Sequence, residues 1–161
     1  LKRIAQCNKK AYFMGTDFTY EDMELEDMDS FNYKILRAEQ LEYFVSKKEK
    51  TADWWVIESV PANKKAKHLS SYSKRILWVD KSNFFTLKIQ FFDKTDEHIK
   101  TQTSHNVVHV KGDAWRGNKT LMDNHKRDHK TLSGVKERKI DQLIDDKMFT
   151  ENYIISERHI Q

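Results

Sequence analysis

Apolar and polar residues alternate along most of the chain, and this period of two predicts β-strands. In residues 31–39, for example, Phe31, Tyr33 and Ile35 fall on one face and Asn32 and Lys34 on the other. Residues 53–60 are rich in the aromatic and β-branched side chains that favour strands. The pattern predicts strands over residues 31–39, 53–60, 71–80, 84–93, 98–110, about 121–125 and 131–140.

Short polar connections separate several of these segments and predict an antiparallel meander. Residues 80–83 (DKSN) are too few for a crossover helix, so the strands on either side must form a hairpin. Residues 93–96 (DKTD) and Gly112-Asp113 have turn chemistry as well. The expected fold is therefore mainly β, an antiparallel sheet with a few short helices.

Helix signals occur at two places. Thr19 and the acids that follow it fit a capping box ahead of Met23, Leu25 and Met28, which predicts a helix of one or two turns. Residues 145–153 predict a last turn or a short helix near the end of the chain.

Both faces of the central strands are apolar. In residues 53–60, Trp54 and Val56 oppose Trp55 and Ile57, whereas a sheet with one wet face alternates more strictly. Something must therefore cover the second face. The cover is either another segment of protein, such as a helix or an N-terminal portion, or a ligand held in a cavity.

Composition narrows the class of protein. A chain of 161 residues with 38% hydrophobic and 34% charged residues predicts one globular domain. The net charge of +4 is spread along the chain, which favours a solvated surface over a nucleic-acid interface. The lone Cys7 forms no intrachain disulfide and suits a small buried side chain. No apolar run reaches the length of a membrane helix.

Catalytic and metal-binding patterns are weak, so we expect neither an enzyme nor a cofactor. The nucleotide-loop, zinc-protease and nucleophile-elbow motifs are absent from the sequence. The pairs His105/His109 and His125/His129 offer too few converging ligands for zinc. The acids Asp17, Glu21 and Asp22 fit the start of a helix, where carboxylates interact favourably with the dipole; a general-acid pair is the alternative.

The most distinctive stretch is residues 13–23 (FMGTDFTYEDM), which predicts a strand end, a glycine-permitted turn and a helix start. This stretch resembles a signature of the periplasmic outer-membrane lipoprotein-sorting proteins, the LolA-like superfamily. Weaker blocks before and after this stretch match the family in the same order over nearly the whole chain. The residues that match are 1–5 (LKRIA), 55–58 (WVIE), 72–81 (YSKRILWVDK), 92–94 (FDK), 122–124 (MDN), Thr131 and 145–150 (DDKMFT).

The resemblance implies an incurved antiparallel sheet, a LolA/LolB-like half-barrel with helices over a hydrophobic cavity on its concave side. The chain then corresponds to the C-terminal two-thirds or so of such a domain, a single domain over residues 1–161 without its N-terminal strands and helix. The chain begins at Leu1 and carries no signal peptide, so we expect a trimmed piece of an exported, periplasmic protein. Two departures from the family pattern are Asp96, where a turn glycine is usual, and the region of Thr86, where a proline is common.

The expected function is to carry or sort a lipid, or the acyl chains of a lipoprotein, without catalysis. Expected partners are that cargo, an inner-membrane lipid transporter and, transiently, a membrane, but no nucleic acid. The alternative function is an envelope adaptor that binds a transporter or another protein through its sheet edge. The candidate cavity residues, for which Trp54 and Val56 are substitutes if the other face is concave, are Tyr33, Ile35, Trp55, Ile57, Ile76, Trp78, Leu87, Ile89 and Phe91.

Overall fold

The computed structural model describes residues 9–45 and 48–156, and the matches at residues 1–5 and Cys7 lie outside these ranges. Within the described ranges, seven strands follow one another, with short helices between and around them. The strands are β1 (Phe31–Val45), β2 (Lys48–Pro61), β3 (Lys74–Asp80), β4 (Thr86–Phe92), β5 (His98–Lys111), β6 (Ala114–Asn124) and β7 (His129–Gly134). The helices are α1 (Tyr20–Met23), α2 (Lys64–Leu69) and α3 (Glu151–Ile155), with 3₁₀ turns at Met28–Ser30 and Asp146–Phe149.

The strands form one sheet in sequence order, and each pairs antiparallel with the next. The predicted mainly-β meander is therefore confirmed. The first hairpin is long enough for its tip to reach across the sheet, where Val45 pairs with Val107 of β5. This contact curls the sheet, as the half-barrel architecture requires.

Strand register assigns every side chain to one of two faces, because residues paired across antiparallel strands lie on the same face. Ile35 pairs with Ile57, Ile57 with Leu77, and Leu77 with Ile89. We call the face that carries these four residues the strap face. The opposite face, which we call the core face, carries Trp54, Val56, Ile76 and Trp78.

The core face holds the main hydrophobic core, and the curl of the sheet closes it. Trp54 and Val56 are completely buried there, and Tyr43 packs edge-on against Trp54 with ring centroids 5.0 Å apart. The tip of the first hairpin supplies part of the cover, and Val107 and Trp115 of the next long hairpin supply more. A smaller cluster on the strap face joins Tyr72, Phe91 and Met122.

Four predicted strands have clearly wrong limits. The first strand continues to Val45 instead of ending at residue 39, and the second begins at Lys48 instead of residue 53. The seventh strand ends at Gly134, so the prediction for residues 135–140 is wrong: beyond the Val135 N–H, which donates to the Asn118 carbonyl oxygen, no strand is formed. The sixth strand begins at Ala114 rather than near residue 121, because β5 extends to Lys111 and pairs with it throughout.

Candidate functional site

A segment that we call the strap, residues 17–28, lies against the strap face and contains α1. The turn before it has Met14 and Gly15 in left-handed conformations, at φ +47° and +79°. Glycine adopts this region without a steric penalty, which explains Gly15 at this position. The predicted turn and short helix are therefore confirmed.

Asp22 holds the strap through contacts within α1 and through contacts with the sheet. Its carboxylate accepts a hydrogen bond from the Thr19 N–H at 2.7 Å, and the Thr19 hydroxyl accepts one from the Asp22 N–H, which completes the predicted capping box. The same carboxylate forms an ion pair at 2.5 Å with Lys100 of β5. Both side chains are buried, and the Tyr72 hydroxyl donates a further hydrogen bond to Asp22 at 2.7 Å.

Arg75 of β3 clamps the next part of the strap. Its guanidinium pairs with Glu21 at 3.0 Å and also with Glu26, and all three side chains are largely buried. Glu21 accepts further hydrogen bonds from the Ser70 hydroxyl at 2.5 Å and the Ser71 N–H at 2.7 Å. Two carboxylates thus converge on one arginine, which fixes α1 and the segment that follows it.

Asp17 fastens the start of the strap to the last strand. Its buried carboxylate accepts hydrogen bonds from Thr131 and His129 of β7, both at 2.6 Å, and lies 3.4 Å from the Arg127 guanidinium. Burial raises the pKa of the carboxyl, but the hydrogen bonds from Thr131 and His129 and the charge of Arg127 outweigh it and lower the pKa. Asp17 therefore precedes the helix and serves as an anchor, not as a helix-dipole partner.

Between the strap and the sheet lies a cavity of about 340 Å³, which we call the strap cavity. Ile57, Leu77, Val79 and Ile89 form an apolar floor, and all four are only half-buried although they lie in inner strands. The strap acids and Arg75 line the rim. The volume lies within the usual range for small-molecule sites, and an apolar floor with a few polar rim groups is typical of them.

A second cavity of about 340 Å³, the α2 cavity, lies on the other side of the Arg75 clamp. Ala66 and Leu69 of α2 line it, together with Leu25 of the strap. Glu21, Glu24, Glu26 and Arg75 line both cavities, so the ion pairs of Arg75 form the wall that divides them.

Six of the nine predicted cavity residues lie on the strap face, and four of these line the strap cavity. Tyr33, Ile57, Ile89 and Phe91 are the lining residues. The hydroxyl of Tyr33 donates to Glu26, and burial and this hydrogen bond raise its pKa. Ile35 lies on the same face but is 58% exposed, and Trp55 stacks against Phe84 instead.

The other three predicted residues pack on the core face, and placing them with the first six was wrong. Ile76 and Trp78 belong to the buried cluster there. Leu87 packs against the same cluster because the β3–β4 register shifts between Trp78 and Val79. The substitutes Trp54 and Val56 are buried in that core as well.

Sequence alternation missed Leu77 and Val79, which alternate with the predicted residues Ile76 and Trp78 in β3. The direct signal for the site was in the strap acids Asp17, Glu21 and Asp22, whose partners lie on three different strands. No metal centre is formed within the described parts of the chain, where no three histidine, cysteine or acidic side chains converge. Within the same residues, no helix has the length and apolarity needed to cross a membrane.

Three solved structures resemble this one along almost its full length. A domain named for outer membrane lipoprotein sorting, from Vibrio parahaemolyticus, is 27% identical, with a TM-score of 0.81 over 95% of this chain and 60% of that chain. A DUF1329 family protein from Desulfovibrio piger is 22% identical, with a TM-score of 0.72 over 94% of this chain and 59% of the other. A LolA superfamily protein from Nitrosomonas europaea is 21% identical, with a TM-score of 0.61 over 90% and 60%.

The present chain therefore spans about three fifths of the length of these solved chains. The two more distant structures show the fold alone. Among curated proteins, no sequence matches significantly. A family model described as "Uncharacterized protein" matches residues 1–156. The chain belongs to that family. Its predicted resemblance to an outer membrane lipoprotein-sorting domain is confirmed, and its resemblance to the LolA superfamily protein is one of fold.

Proposed function

We propose that the chain belongs to a periplasmic carrier or sorting protein that binds a lipid, or the acyl chains of a lipoprotein, in the strap cavity without catalysis. The observation that carries this proposal is the half-buried apolar floor of Ile57, Leu77, Val79 and Ile89 beneath the strap. Isoleucine, leucine and valine are among the residues most often fully buried in proteins. An alkyl chain is an occupant that would complete their burial.

The energetics of such a site suit a carrier. An acyl chain gains about 0.8 kcal/mol for each methylene that leaves water, whether it enters a membrane or a protein. A carrier that gives up its cargo must match the membrane without greatly exceeding it. An apolar floor meets this requirement, because it supplies burial and few directional bonds, while the polar groups stay at the rim.

The periplasmic location and the transport role draw support from the relatives. The most similar solved domain reported above is named for outer membrane lipoprotein sorting. A role in that process would bring the protein into transient contact with a membrane and with an inner-membrane lipid transporter.

The first test is for bound cargo. The purified protein is extracted with organic solvent, and the extract is analysed by mass spectrometry for co-purified lipid. Binding is then measured directly by titration with a fluorescent fatty acid. We expect the protein to carry lipid or to take up the probe.

A matched pair of variants locates the binding site. Val79→Trp fills the strap cavity, whereas Val135→Trp makes the same change at an exposed position after β7. We expect Val79→Trp to weaken fatty-acid binding at least about tenfold, a loss of roughly 1.4 kcal/mol, and Val135→Trp to leave it unchanged. A clean extract without uptake of the probe, or equal binding by both variants, would contradict the proposal.

The alternative, an adaptor, has a candidate surface in β7, the last strand of the sheet order. An exposed strand edge can pair with a strand of another protein. Capture of an envelope protein that survives Val79→Trp, together with no lipid uptake by the wild type, would favour the adaptor. Trp78 is unsuitable for this comparison, because its ring belongs to the buried core.

A further inference from the structure

Helix α2 presents a dense group of basic side chains. Lys64, Lys65, Lys67 and His68 are all exposed, and the sequence between Glu58 and Asp80 contains no acid. The helix is amphipathic, since its remaining residues, Ala66 and Leu69, line the α2 cavity. Its polar side therefore carries three lysines and a histidine, and no acid.

Two lysines from other segments converge on the same helix. The Lys10 ammonium donates to the His68 carbonyl oxygen at 3.0 Å, and the Lys94 ammonium donates to the Lys67 carbonyl oxygen at 2.9 Å. Burial lowers the pKa of Lys94, and the nearby charges of Lys10 and Lys67 lower it further against an opposing effect of Glu21, which is itself paired with Arg75. Like charges are thus concentrated here, at a cost to the folded state.

In the described part of the chain, the positive charge of these lysines is not balanced by ion pairs with acids. No ion pair within the described residues joins an acid to Lys10, Lys94 or the α2 lysines. Two acids in the turn next to Lys94 are paired elsewhere, Asp93 with Lys126 and Asp96 with Lys74.

An exposed apolar edge lies across the α2 cavity from the lysines. Leu25 of the strap lines this cavity and is fully exposed. The neighbouring acid Glu24 is paired with Lys9 at 2.5 Å, so it does not offset the lysine charge. An exposed apolar side chain therefore lies across the cavity from α2, the helix whose outer side carries the unpaired lysines.

We propose that this surface, formed by Lys10, the cations of α2, Lys94 and Leu25, docks the protein on a lipid bilayer that contains anionic phospholipids. Lysines next to an anionic bilayer gain from its negative surface potential, and an exposed apolar side chain gains by entering the interface. A nucleic acid would use the cations but not Leu25. The docking surface rests on the proposed carrier function for its purpose, because a carrier must meet a membrane to exchange cargo.

The experiment measures co-sedimentation of the purified protein with vesicles. The vesicles consist of phosphatidylcholine alone or mixed with phosphatidylglycerol, at low and high salt. We expect binding to the mixed vesicles only, and weakening at high salt because ions screen the attraction. A lysine near an anionic surface is worth roughly a fivefold change in partitioning. The triple variant Lys64→Gln/Lys65→Gln/Lys67→Gln should therefore weaken binding about 100-fold.

A matched triple variant separates the surface from net charge. Lys119, Lys136 and Lys139 are exposed, lie in β6 and after β7, and line neither cavity. Changing these three lysines to glutamine removes the same charge and should change vesicle binding only a few-fold. The separate variant Leu25→Ser should weaken binding while leaving its salt dependence in place.

Three results would overturn the docking surface: no binding of the wild type to mixed vesicles, equal binding to neutral vesicles, or equal losses in the two triple variants. Competition by short duplex DNA that Leu25→Ser does not alter would indicate a nucleic-acid surface instead. Uptake of a soluble fluorescent fatty acid requires no bilayer, so it is measured in the same variants. Uptake without vesicle binding would refute docking alone, and vesicle binding without uptake would refute the carrier alone.

Discussion

At the residue scale, the strap is held by buried charges and not by apolar packing alone. Asp17, Glu21 and Asp22 each pair with a base from a different part of the sheet. Removing one member of such a pair leaves a buried charge uncompensated, which is far more costly than the pair is worth. These three acids therefore fix where the strap lies and, with it, the height of the strap cavity.

Part of this arrangement was predictable from local sequence. The capping box needs only Thr19 and Asp22, which are three residues apart, so it was found. Lys100 is 78 residues from Asp22 along the chain, and no local pattern connects them. Asp96 illustrates the same limit. Its φ of +66° lies in the left-handed region, which explains why glycine is usual here in the family. The sequence alone identified Asp96 only as a departure from the family pattern.

The pair between Asp22 and Lys100 gives a prediction at this scale. Lys100→Met keeps the length of the side chain and removes its charge, which leaves the Asp22 carboxylate buried without its cation. We expect the free energy of unfolding, measured by urea denaturation, to fall by about 3–5 kcal/mol.

The double variant Asp22→Asn/Lys100→Met is the control. The amide oxygen of asparagine can still accept the Thr19 N–H, so the cap survives while the buried charge disappears. We expect the double variant to be more stable than Lys100→Met alone. If it is equally or less stable, the loss is due to packing and not to the charge.

At the scale of elements, the alternation of apolar and polar residues identified the strands whose two faces lie in different environments. It missed the first half of β6, residues 114–120, where polar residues and Gly117 break the pattern. That part is a strand because β5 supplies hydrogen bonds along its whole length. Alternation also failed to place Leu87, because the register shift between β3 and β4, where Leu87 lies, has no signal in the pattern of apolar and polar residues.

The turn between β3 and β4 is joined to the first hairpin through Asp80. Its buried carboxylate accepts hydrogen bonds from the Ser82 N–H at 2.7 Å, the Ser82 hydroxyl at 2.6 Å and the Tyr43 hydroxyl at 2.9 Å. Burial raises the pKa of Asp80, but these hydrogen bonds outweigh it and lower the pKa. Burial and the bond to Asp80 raise the pKa of Tyr43 to about 12.

The substitution Asp80→Asn should make the stability difference from the wild type depend on pH. It places an amide N–H₂ group among hydrogen-bond donors. We expect a loss of about 2 kcal/mol in unfolding free energy near neutral pH. Since the folded pKa lies below the unfolded value of about 3.9, the advantage of the wild type is complete above about pH 5 and shrinks as pH falls through the folded pKa. Urea denaturation at several pH values measures this difference.

Asp113→Asn, in the exposed turn between β5 and β6, serves as the control. Its unfolding free energy should stay within about 0.5 kcal/mol of the wild type throughout. A gap between the wild type and Asp80→Asn that is constant down to the lowest pH would contradict the role of the Asp80 charge.

At the scale of the whole molecule, the two faces of the sheet differ in how completely they are covered. The curl of the first hairpin closes the core face, whereas the strap covers the other face only in part. Sequence alone indicated that both faces are apolar, but not which one stays open. Which face stays open depends on the contact between Val45 and Val107. These two residues are 62 positions apart and belong to strands that meet only after the sheet curls.

Two neighbours in β3 test this division of the molecule, because they point to opposite faces. Ile76 is 8% exposed in the packed core, and Leu77 is half-buried in the strap cavity. We expect Ile76→Ala to lower the unfolding free energy by about 3 kcal/mol, and Leu77→Ala by only about 1 kcal/mol.

Titration with a fluorescent fatty acid should show the reverse order. Leu77→Ala should weaken binding roughly fivefold through lost apolar contact, whereas folded Ile76→Ala should bind like the wild type. Equal effects of the two variants on both measurements would mean that the faces are not separate in function, because alanine at either position would then disturb one continuous interior.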